Sequence, residues 1–126
     1  NDYHEMGACI AAYHCAINGC QVFYLGANMP IDGLKEFCVL TSPVLILLAC
    51  TKELEDFEAK SLADEYAKKL LPICPVWAGG SAMDSLGEYF SKNGIDVLDS
   101  LNILVDRLKN LPRYLKSNQW LWIYLG

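Results

Sequence analysis

The sequence predicts an α/β domain built on a doubly wound, five-stranded parallel sheet, and three observations carry that prediction. Short apolar runs rich in branched and aromatic residues, such as Val22-Phe23-Tyr24-Leu25 and Val44-Leu45-Ile46-Leu47-Leu48, are continuous rather than alternating. Strands buried on both faces of a parallel sheet read that way. Stretches with apolar residues at helical spacing lie between them, and alternation of the two element types is the signature of helices packed on a parallel sheet. The chain has 126 residues, 53% of them hydrophobic. That is enough for one compact core and too little for two, so residues 1–126 are read as a single domain.

In chain order, residues 8–17 are helix-compatible and close at Asn18-Gly19, a C-terminal cap signal. The first strand is 22–25, the second 44–48 and the third 73–77, each bounded by Gly, Pro or Asn. Between the second and third, Leu54, Phe57, Leu62, Tyr66 and Leu70 recur at helical spacing. They stand opposite Glu55, Glu58, Lys60, Asp64, Glu65 and Lys68, a solvated charged face. A shorter helix over 84–93 stops at Gly94, and residues 95–97 make a short edge strand. Leu98, Leu101, Leu104, Leu108 and Leu111 form another helical stripe. The most strand-like run comes last, Trp120-Leu121-Trp122-Ile123-Tyr124-Leu125 before Gly126. Core packing accounts for the aromatic rings of Tyr24, Trp77, Trp120 and Trp122.

Charge and composition exclude several classes. With a net charge of -5 and an isoelectric point near 4.8, the chain lacks the concentrated basic face that a phosphate backbone demands. No direct nucleic-acid contact is expected of it. Arg113 and Lys116 near Pro112 read as a solvated connector. No apolar run approaches the roughly 20 residues of a membrane span. The polar start lacks the basic and apolar segments of a signal peptide, so the expected location is cytoplasmic. The cysteines at 9, 15, 20, 38, 50 and 74 contain no C-x-x-C pair and sit mostly in apolar runs. They are expected to be reduced, buried thiols.

Asp2, His4 and Gly7 stand in the spacing D-x-H-x-x-G. Taken alone, Asp2 is an ordinary N-terminal cap and His4 a helix-start residue. Taken with Gly26 after a strand, Pro30, and Gly79-Gly80 after a later strand, the pattern resembles cobalamin-binding domains, in order over most of the chain. The resemblance implies a Rossmann-like, flavodoxin-like cobalamin-binding fold with His4 as the lower ligand of cobalt and Asp2 holding the other imidazole nitrogen. A metal-bound imidazole needs its second nitrogen tied to an acceptor to fix tautomer and orientation. It further implies that Gly7 starts the first helix against the corrin. Gly79 and Gly80 would let backbone approach the nucleotide tail. Ser81 would either bond the tail or cap the next helix. The other histidine, His14, lies within the first helix and is assigned no role.

The family carries a central strand immediately before D-x-H. Joining the end of this chain to its start gives W-L-W-I-Y-L-G-N-D-Y-H-E-M-G, the family's strand, loop and ligand in order. The resemblance therefore implies a circularly permuted arrangement with 120–125 as the central strand. It departs from the family at the S-x-L after the third strand, whose serine bonds the displaced nucleotide tail. Leu48-Ala49-Cys50 stands there instead, and Leu48 cannot make that bond. Cys50 or Thr51 is left as a weak substitute.

His4-Glu5-x-Gly7, Tyr24-Leu25-Gly26-x-x-x-Pro30 and Gly79-Gly80-Ser81-Ala82 resemble most closely the cobalamin-binding domains of MerR-type transcriptional regulators, light-sensing ones included. The resemblance implies a sensory domain that binds base-off adenosylcobalamin or methylcobalamin and is not itself an enzyme. DNA binding, and a helical domain covering the upper corrin face, are expected in a longer parent protein or another chain, with a homo-oligomer as a further possibility. Two other readings stay open: a corrinoid carrier domain of a methyltransferase or mutase, and a cofactor-free interaction module of the same fold.

Overall fold

A computed structural model describes residues 21–25, 30–50, 53–110 and 119–125. The elements are β1 (Gln21–Leu25), α1 (Ile31–Thr41), β2 (Leu45–Cys50), α2 (Asp56–Leu70), β3 (Val76–Gly79), α3 (Met83–Lys92), β4 (Asp96–Val97), α4 (Leu101–Asn110) and β5 (Gln119–Leu125). The chain is mixed α/β, with strands that pair in parallel in the order β1-β5-β2-β3-β4. The helix expected over 8–17 and the connector around Pro112 lie outside the described residues.

The last strand is interior. Leu121 of β5 is in register with Phe23 of β1 on one side and with Ile46 of β2 on the other. The middle of the order, however, belongs to β2, which is buried along its whole length. Six consecutive apolar side chains, Leu45 to Cys50, fill both faces at that position.

Strand β3 begins later than its apolar run suggests. The amides of Ile73 and Cys74 both donate to the carbonyl of Leu70, so the exit turn of α2 consumes the residues before Pro75. The backbone resumes as strand at Val76.

Helix α2 forms where expected, and of the expected apolar stripe Tyr66 and Leu70 are buried and Leu54 and Leu62 pack against the core, so that Phe57 alone departs from it. Its buried residues are Ala59, Ala63, Tyr66, Ala67 and Leu70, while Phe57 is 84% exposed. Alanines at i and i+4 let the helix approach the sheet closely, and Phe57 sits on the far side from Ala59. Helix α1 is not announced by the sequence pattern. Only Leu34 and Cys38 are buried on it, whereas Val39 and Leu40 face solvent and blur the periodicity.

Helix α3 ends in a Schellman arrangement: Gly94 donates to Ser91 and Ile95 to Phe90. Gly94 takes φ +88°, and the apolar residue after it, Ile95, is buried. Helix α4 buries Leu104 and Leu108, one turn apart.

The core joins Leu34 and Cys38 of α1, Ile46, Leu48 and Cys50 of β2, the alanine face of α2, and Leu86 and Phe90 of α3. Among the described residues it holds no buried charged side chain. No helix among them is long and apolar enough to cross a membrane. Cys38, Cys50 and Cys74 are free and buried, as expected; Cys9, Cys15 and Cys20 lie outside the described residues.

Candidate functional site

Parallel strands deliver all their C-terminal ends to one edge of the sheet, which is where ligands of open α/β sheets bind. At that edge Cys50 stands in register with Leu125, and Ala49 with Gly79. The turn Gly80-Ser81-Ala82 then leads from β3 into α3. Of the residues implied by the resemblance, Leu48, Cys50, Gly79, Gly80 and Ser81 are brought to this end of the sheet. Asp2, His4, Gly7 and Thr51 lie outside the described residues.

Leu48 and Cys50 belong to the core rather than to an open pocket. They are 2% and 1% exposed, on the β2 face that packs with α1, α2 and α3. Burial pushes the Cys50 thiol up to about 12, so it stays protonated and is a poor nucleophile and a poor soft-metal ligand at neutral pH. Cys38 and Cys74 are pushed up in the same way, to about 11 and about 12.

Gly80 is held by its own backbone environment. Its φ is +112°, and a Cβ there would lie 2.4 Å from the carbonyl oxygen of Cys50. That same oxygen accepts a hydrogen bond from the Ala82 amide at 3.0 Å. Glycine is therefore required at position 80 because the start of α3 is folded down on the end of β2, a reason internal to the fold. Gly79 is less constrained: a Cβ would meet the carbonyl of Leu98 at an ordinary 3.6 Å. Ser81 is exposed, and the N-cap position of α3 falls on Ala82, which makes no side-chain capping bond.

Two features went unassigned in the sequence. Tyr66 reads as one member of an apolar stripe, yet it places a hydroxyl in the core near Cys50. Burial, with smaller contributions from Cys50 and Glu65, pushes it up to about 12. Arg107 of α4 lies over the Trp77 ring, 5.1 Å from its centroid, and both its terminal nitrogens donate to the Asp96 carboxylate. Trp77 and Asp96 are register partners on β3 and β4, so one guanidinium ties the short edge strand to the helix that covers it. Periodicity cannot reveal either feature, because each depends on contacts between separate elements.

No group of three or more His, Cys, Asp or Glu residues suited to a metal ion occurs among the described residues. Comparison of the chain with family models, curated proteins and solved structures gives no match.

Proposed function

We propose that this chain is a cobalamin-binding regulatory domain, with His4 as the ligand beneath the cobalt and Asp2 orienting its imidazole. The observation that carries the reading is the strand order. Counted from β5, it runs 2-1-3-4-5, an order in which doubly wound sheets bind ligands in the crevice between strands 1 and 3. Those strands are β5 and β2, whose ends meet at Leu125 and Cys50. The interior place of β5 also supports the permuted reading, in which W-L-W-I-Y-L-G precedes N-D-Y-H in space.

The described residues fit this cofactor only in part. The Gly79-Gly80-Ser81 turn lies open at the sheet edge, with Gly80 and Ser81 exposed. The seat for a nucleotide tail does not fit: Leu48 and Cys50 are sealed in the core and the last three residues of β2 carry no side-chain oxygen. In this reading the chain works in the cytoplasm by binding, not catalysis, and contact with DNA belongs to other parts of the assembly.

The sealed end of β2 favours one second reading, a cofactor-free interaction module. A visible absorption spectrum separates the two, taken after incubation with adenosylcobalamin or hydroxocobalamin and desalting, for the native chain and His4→Ala. The cobalamin reading expects retained colour and a changed spectrum in the variant. Colourless protein in both preparations replaces it with the interaction module.

A further inference from the structure

We draw no further inference here: the strongest candidate, the surface patch at the start of α2 where Phe57 stands 84% exposed among the exposed carboxylates of Glu53, Glu55, Asp56 and Glu58, carries none, because nothing in the structure shows what covers it.

Discussion

Gly80 is the position at which the smallest chemical change has the largest expected effect. A methyl group there meets the Cys50 carbonyl at 2.4 Å and must also adopt a φ of +112°. Strain and overpacking together put Gly80→Ala at about 3 kcal/mol or more of lost stability. Gly79→Ala, with only an ordinary contact at 3.6 Å, should cost less than about 1 kcal/mol. Urea unfolding of the two variants compares them directly, and equal losses would contradict the packing of α3 on β2. Leu48 sets a second contrast. Buried at 2% exposure in the core, it should cost about 2–5 kcal/mol as Leu48→Ala. Leu48→Ser should cost at least as much, because the new hydroxyl is buried too. Placing at this position the serine of the domains that the sequence resembles thus works against the fold. Cys50, pushed up to about 12 by burial, should resist iodoacetamide at pH values near 8 in the native state and react only on unfolding. Mass spectrometry of the alkylated protein reads this out.

Charged contacts act between elements here, and they do so at the surface. Arg107 links α4 to β3 and β4, so Arg107→Ala should cost about 1 kcal/mol, and Arg107→Lys should recover only part of it because the forked contact with Asp96 is lost. Thermal unfolding at two salt concentrations checks both. Lys69 near the end of α2 pairs with Asp32 in the first turn of α1, each charge at the helix end whose dipole suits it. The Lys69 ammonium lowers the Asp32 carboxyl, and Asp32 in turn raises Lys69. Lowering of an acid stabilises the fold above its ordinary value and is lost as pH falls through the lowered one. Raising of a base stabilises below its ordinary value and is lost as pH climbs through the raised one. The unfolding midpoints of native chain and Asp32→Asn should therefore converge on acidification below about pH 4. Element by element, the sequence was legible where pattern and packing agree. α3 and its Gly94 stop, and the buried run of β2, follow from local residues alone. The inward face of α2 follows in part, from Tyr66 and Leu70, while its alanines carry too little hydrophobicity to set Phe57 apart as exposed. Helix α1 was hidden by the exposed Val39 and Leu40, and the glycine requirement at 80 depends on a carbonyl thirty residues earlier in the chain.

At the scale of the molecule, the sheet is completed by a strand that pairs across nearly the whole sequence, Gln119 with Gln21. The place of β5 was legible only through the resemblance to a family whose ligand loop follows a central strand; its own residues report that it is a strand and not which neighbours it takes. Its position makes a strong demand on cooperativity. Without residues 119–126, β1 and β2 would face each other across a gap of one strand, roughly 10 Å wide, and their backbone donors and acceptors toward β5 would lose their partners. A chain ending at 118 should therefore unfold in urea with a smaller slope than the intact protein and without a sharp midpoint, since the slope tracks the surface exposed on unfolding. Hydrogen exchange locates the loss. Amides of Leu45 to Cys50 that pair with β5 should lose protection in the shortened chain, while those of α3, packed against α2 on the other side of the core, should keep more of theirs. A shortened chain that retained the native slope and uniform protection would mean that β5 lies at an edge of the sheet, and the crevice proposed between β5 and β2 would then have no second wall.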